Sequence, residues 1–258
     1  NLAELRNDLQ MALSLIPGSH RVNLHAMYGD FAEKPADRDA IEPMHFTSWI
    51  DWAKEQSVGL DFNATCFSHP MAADGFTLSH KSEIVRGFWI EHCRRCREIA
   101  ARMGESLGTP SIHNLWIPDG SKDLTVSRFD HRAILMESLD AVHAKKYDAA
   151  YLKDSVESKL FGIGSESYVV GSFDFYLPWA FSRKTLLCLD MGHYHPTESV
   201  ADKITALLLF LDELLLHVSR GVRWDSDHIV ILNDELLALT HEVVRANALP
   251  RVHFALDF

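Results

Sequence analysis

Short apolar runs alternate with longer helical stretches along the whole chain, and this alternation limits the fold more than any other feature of the sequence. Strand-like runs occupy residues 22–27, 59–64, 111–117, 150–157, 186–190, 214–219 and 252–257. Helical apolar spacing runs through 2–13, 44–55, 82–103, 131–143, 199–211 and 233–246. Strand then helix, repeated, predicts a parallel sheet covered by helices, either open or closed into a barrel. No internal repeat, low-complexity tract or Pro/Gly/Ser-rich linker breaks the pattern, so residues 1–258 are read as one catalytic domain. That length suits a single barrel.

The polar residues favour a barrel over an open sheet. His25 lies in the first run, Glu157 ends the fourth, Asp190 ends the fifth, His217 lies near the end of the sixth and Asp257 ends the last. Chemistry at the C-terminal ends of many different strands is the layout of a (β/α)8 TIM barrel. An open sheet would gather such groups near one switch point. Seven strands are visible where a closed barrel needs eight, and no helix covers the last run before Phe258. An uncovered final strand is a liability in water. The expectation is therefore a piece of a longer polypeptide.

Charge removes several functions. Lys and Arg number 25 against 36 Asp and Glu, a net charge of −11. Nucleic acids and anionic membranes need clustered positive charge, so neither is an expected partner. The apolar run 206–211 stops at Asp212 and Glu213 and is far too short to span a bilayer. No charged-then-apolar leader is evident, and a cytoplasmic location is expected. Four cysteines, Cys66, Cys93, Cys96 and Cys188, do not make a disulfide framework in a chain of this size. Cys93 and Cys96 form a C-x-x-C, but no second ligand pair follows at zinc spacing. They read as two reduced thiols sharing a helix face.

The sharpest constellation lies between Glu157 and Asp257. Asp190 and His193 make a D-x-x-H, Asp225 and Asp227 a D-x-D, and Glu157, His217 and Asp257 sit at strand ends. Carboxylate oxygens and imidazole nitrogens suit Mn²⁺, Co²⁺, Mg²⁺ or Zn²⁺. Each element alone is weak, since Asp-x-Asp is common in solvated loops and a strand-end histidine is often structural. Together they fall at one end of one expected barrel.

At these residues the sequence resembles the L-rhamnose isomerases, dimetal sugar isomerases related to the xylose isomerases. The resemblance is carried by Val22-Asn23-Leu24-His25-Ala26, Cys66-Phe67-Ser68-His69-Pro70, Asn114-Leu115-Trp116-Ile117-Pro118-Asp119-Gly120 and Val156-Glu157-Ser158-Lys159-Leu160-Phe161-Gly162. It continues through Cys188-Leu189-Asp190-Met191-Gly192-His193, Val222-Arg223-Trp224-Asp225-Ser226-Asp227-His228 and the closing His253-Phe254-Ala255-Leu256-Asp257-Phe258. It implies a further strand before Asn1, more chain after Phe258, and a homotetramer. It also implies interconversion of L-rhamnose and L-rhamnulose by ring opening and a metal-assisted hydride shift. Two ions, Mn²⁺ with Zn²⁺ or Co²⁺ as alternatives, would bind. Glu157, Asp190, His217 and Asp257 would hold the first, and His193, Asp225, Asp227 and the bridging Asp190 the second.

Lys159, two residues beyond Glu157, would donate to the carbonyl end of the open-chain deoxysugar. His25 matches the family's ring-opening proton carrier or is a plain barrel histidine. Trp116 and Phe67 read as an apolar wall against the sugar or as core. His69 reads as lining the site or as a structural loop residue. Two rivals stand beside this reading, a metal-dependent phosphodiester hydrolase on the same barrel and a metal-binding fragment without turnover. The acidic charge speaks against the hydrolase.

Overall fold

Strands whose residues are apolar at nearly every position, such as 186–190 and 214–218, can only be satisfied with both faces covered. The computed structural model, which describes residues 1–123, 125–159, 167–195, 197–222 and 228–256, meets that demand. The chain runs α1 (Leu2–Leu15), β1 (Arg21–His25), α2 (Thr47–Gln56), β2 (Gly59–Asn63), α3 (Glu83–Leu107), β3 (Ser111–Leu115), β4 (Gly120–Ser121) and α4 (Arg128–Val142). It continues through β5 (Leu152–Glu157), β6 (Tyr168–Val169), α5 (Phe173–Arg183), β7 (Leu186–Asp190), α6 (Ala201–Leu208), β8 (Leu214–Val218), α7 (Asp234–Arg245) and β9 (Val252–Leu256). Seven strands form one sheet in the order β1-β2-β3-β5-β7-β8-β9, while β4 and β6 pair antiparallel with each other. Sheet order follows chain order with a helix between successive strands, the (β/α)8 barrel arrangement with seven strands. Every residue of β3 and of β8 is buried.

Each expected strand is present, with boundaries moved by a few residues. Helix α5 is not among the expected helices; Pro178 lies inside it, and a proline forfeits one backbone hydrogen bond. Its buried Tyr176, Trp179 and Ala180 outweigh that loss, and Lys184 ends it in the left-handed region at φ 54°. The apolar residues around the end of α6 divide by exposure. Leu207, Leu208 and Leu211 are buried, whereas Leu209 and Phe210 face solvent. Among the described residues no helix is long and apolar enough to cross a membrane.

Packing divides the chain into two units interleaved in sequence, residues 1–65, 87–113 and 140–154 in the first and 66–86, 114–139 and 155–258 in the second. In the first, Trp49 packs edge-to-face on Trp52 at 5.6 Å and donates its indole N–H to the Tyr28 carbonyl at 2.8 Å. Gly104 of α3 lies so near the Tyr151 carbonyl that a Cβ would sit 1.9 Å from its oxygen, so a side chain is excluded there. Arg97, buried on the same helix, grips Asp154 of β5 with two hydrogen bonds of 2.8 Å. Its remaining Nη1 donates to the Val142 and Lys145 carbonyls. All four cysteines are buried and none is in a disulfide.

In the second unit the fully buried Asp119 ties two loops together. Its carboxylate accepts the backbone N–H of Thr77 at 2.8 Å and of Ser79 at 2.9 Å, as well as both their hydroxyls. Burial nevertheless raises its pKa. Its carbonyl accepts from Val170, whose neighbour Gly171 accepts the Lys159 N–H. The segments carrying Trp116 and Lys159 are thereby held.

Burial pushes the Asp154 carboxyl up, but the adjacent His113 ring, hydrogen bonds from Arg97 and the nearby His143 and Arg97 charges bring it well below the usual carboxylate range. A depressed folded pKa stabilises above the unfolded value of about 3.9 and ceases to as pH falls through the folded value. Asp154→Asn leaves the Arg97 guanidinium buried without its counter-charge, which should cost about 3–5 kcal/mol in urea unfolding at pH 7. The gap between wild type and variant should be full above about pH 4 and shrink at lower pH. A gap independent of pH would refute the charge argument.

Candidate metal centre

Strand geometry brings four of the expected ligands to one place. β5 ends at Glu157 and β7 at Asp190, and His217 is the penultimate residue of β8. The β7–β8 register sets Asp190 directly beside His217, and the β5–β7 register sets Glu157 beside Cys188. A 3-10 turn, Met191–His193, follows β7 at once and is capped by the Asp190 carboxylate, which accepts the Gly192 N–H at 2.6 Å. That turn swings His193 back over the strand end. All four side chains are at least nine-tenths buried.

The contacts within this group are short and mixed in charge. His193 Nδ1 lies 3.0 Å from the Ser158 carbonyl, which can only accept, so this nitrogen carries the proton. It also lies 3.1 Å from Glu157 Oε1, while Nε2 faces Asp190 Oδ2 at 3.6 Å. His217 Nδ1 lies 3.4 Å from Glu157 Oε2 and 3.6 Å from Asp190 Oδ2. Asp190 Oδ1 accepts from the Ser219 hydroxyl at 2.8 Å. Asp190 Oδ2 accepts no hydrogen bond among the described residues, although it is buried and has an imidazole on either side.

Two carboxylates so deeply buried require positive charge. Burial would raise Glu157, yet the His217 charge and hydrogen bonds from His193 and His217 hold it well below the usual range. Burial would lower His217, yet the Glu157 and Asp190 carboxylates drive it well above an ordinary histidine. Protons on imidazole thus balance the carboxylates. A divalent ion does so better, since it concentrates two charges at one point and takes lone pairs from oxygen and nitrogen alike. Buried Asp190 Oδ2, with no donor among the described residues, fits such an ion. Glu157, Asp190 and His193 present ligand atoms within 4.8 Å of one another.

The aromatic residues assemble as a second feature of the same unit. Lys159 Nζ sits 4.4 Å from the centre of the Trp116 ring, a cation–π contact, and Phe67 meets Trp116 edge-on at 5.7 Å. Lys159 lies beyond the end of β5, so loop contacts and not strand alternation set its direction. His69 caps the turn Pro70–Ala72, its Nδ1 accepting the Met71 N–H at 3.1 Å. His195, two residues past His193, is exposed and turns to the Thr197 hydroxyl. His25 ends β1 in the first unit, 3.4 Å from the Thr65 hydroxyl and edge-on to Tyr28. Asp225, Asp227 and Asp257 lie outside the described residues.

Three neighbours of the cluster escaped the sequence reading. Asn114 donates its amide to Glu157 Oε2 at 2.5 Å, Ser219 donates to Asp190, and Cys188 joins Glu157 and His217. A signal existed for each, since all three lie at or near C-terminal strand ends. Their residue types are common in barrel interiors, so the signal had little contrast.

Sheet order and strand-end cluster together define a (β/α)8-barrel protein with a buried carboxylate–imidazole centre suited to divalent metal. The L-rhamnose isomerase family profile matches residues 1–258, and the chain belongs to that family. The L-rhamnose isomerases of Salmonella paratyphi B and Salmonella newport are each 58% identical to it over 258 residues. Those matches cover 100% of this chain and 61% of the relatives, so the chain spans about three fifths of their length. Among solved structures, D-psicose 3-epimerase from Clostridium cellulolyticum H10 superposes with a TM-score of 0.62 at 12% identity, covering 97% of this chain and 78% of that one. The 3-keto-D-glucoside 4-epimerase of E. coli gives 0.53 at 14% identity, covering 83% and 80%. At such identities these two similarities establish the fold alone.

Asn114→Ala removes a donor that orients Glu157 and should weaken Mn²⁺ binding to the chain about 10–100-fold, measured by calorimetry. Affinity equal to wild type would detach Asn114 from the centre.

Proposed function

We propose that the chain carries the metal-binding and sugar-binding residues of an isomerase that interconverts L-rhamnose and L-rhamnulose. The observation that carries this reading is Asp190 Oδ2, buried between His193 and His217 with no hydrogen-bond donor among the described residues, in a chain of this family. Glu157, Asp190 and His217, with Asp257, would hold one ion, and His193, Asp225 and Asp227 a second, with Asp190 shared. Bound there, divalent metal supplies Lewis-acid stabilisation of charge on the sugar oxygens. Mn²⁺ is the ion we assign, with Co²⁺ or Zn²⁺ as substitutes.

The chain's own groups account for the rest. Lys159 donates to the carbonyl oxygen of the open-chain sugar, its ammonium kept in place by the Trp116 ring. Trp116 and Phe67 form an apolar surface against the sugar carbons and keep water from it. His69 lines the sugar's approach from its turn. His25 moves the proton between ring oxygen and anomeric hydroxyl on ring opening. The ligands orient one another, as the Ser158 carbonyl fixes the His193 tautomer and Ser219 and Gly192 fix Asp190. A deoxysugar is the assigned substrate, and residues 1–258 act as part of one catalytic domain, in a cytoplasmic homotetramer.

A second reading draws on the coverage of relatives, 61% of their length. In it, these residues bind metal without turning over sugar, because a misplacement of about 1 Å can cost about a hundredfold in rate. Ketose formation from L-rhamnose, with Mn²⁺ and then with excess chelator, separates the two. Ketose that appears with metal and vanishes with chelator supports the isomerase. Metal bound without ketose selects the second reading. Asp190→Asn should weaken both ions together, whereas His217→Ala should chiefly empty the first. Equal loss of both ions in the His217 variant, by metal titration, would overturn the ligand assignment.

A further inference from the structure

Cys188 is a buried group of the cluster for which the isomerase reading has no use. Alternation along β7 puts it on the same face as Asp190, and the β5–β7 register sets it beside Glu157. Its sulfur, a Glu157 carboxylate oxygen and a His217 ring nitrogen lie within 4.8 Å of one another, all three residues buried. The thiol is not engaged in a disulfide. One thiol, one carboxylate and one imidazole make a donor set with a different preference from the oxygen and nitrogen donors above it, because sulfur favours softer ions.

We propose that Cys188, Glu157 and His217 form a second binding position in the same cluster, which takes a thiophilic divalent ion, Zn²⁺ or Cd²⁺. Binding breaks the S–H bond, forms a metal–sulfur bond and releases one proton to solvent. Glu157 and His217 also serve the harder ion, so the two positions exclude each other. Thiophilic ions therefore compete with Mn²⁺ for the chain. This last point rests on the proposed isomerase site, whereas the thiolate position stands on the cluster geometry.

The test is titration of Cd²⁺, then Mn²⁺, into metal-free chain, comparing wild type with Cys188→Ser and Cys188→Ala. Wild type should develop a thiolate-to-cadmium absorption band in the ultraviolet that saturates at one ion per chain. Both variants should lack it, with the ratio of Cd²⁺ to Mn²⁺ affinity reduced about tenfold or more. Circular dichroism confirms that each variant is folded, and two replacements of different polarity guard against the loss of one. A band that persists in a folded variant, arising from Cys66, Cys93 or Cys96, would overturn the proposal, as would an unchanged affinity ratio. A wild-type band without Mn²⁺ binding would instead sink the isomerase site and leave the thiolate position standing.

Discussion

The burial of two carboxylates side by side is the constraint around which the second unit is organised. Glu157 and Asp190 end neighbouring strands at full burial, where an unbalanced negative charge would be prohibitive. Two imidazoles, an asparagine amide, a serine hydroxyl and a backbone N–H converge on them. With those donors used, one carboxylate oxygen, Asp190 Oδ2, still accepts no hydrogen bond among the described residues. Such a cluster costs local stability, as functional sites commonly do.

Side chains gathered so closely stay together only if their loops do not drift, and the loops around this cluster are built for that. Asp119 gathers Thr77 and Ser79 under its carboxylate and Val170 on its carbonyl. Gly120 N–H closes on the Gly75 carbonyl, and Gly75 takes φ +85°, where a side chain would be strained. Thr77 and Ser79 in one loop and Lys159 in another are thus fixed by backbone hydrogen bonds as well as by packing. In the first unit the Arg97–Asp154 pair performs a comparable task, locking α3 against β5.

Much of the candidate centre was legible in the sequence, and the reason is periodicity. In a parallel barrel a polar residue at the end of an apolar run has one place to go, so Glu157, Asp190 and His217 could be read from spacing. His193 followed from its short distance to Asp190 past the strand. Asn114, Ser219 and Cys188 could not be read in that way. Their importance depends on which strand lies alongside and in what register, and β3, β7 and β8 reveal this only when paired. Helix α5 was hidden for a different reason. Local propensity argues against a helix through Pro178, and only the burial of Tyr176 and Trp179 overrules it.

By itself the sequence determined the strand–helix alternation, the burial of the strands and the chemical class of the ligands, since these depend on residue type and period. Tertiary structure decided which carboxylates and imidazoles gather in one cluster, which nitrogen of His193 carries the proton, and that His69 caps a turn. It also set a thiol beside Glu157 and His217. Those outcomes depend on distances of a few ångströms between residues far apart in the chain, and only pairing of the strands sets such distances.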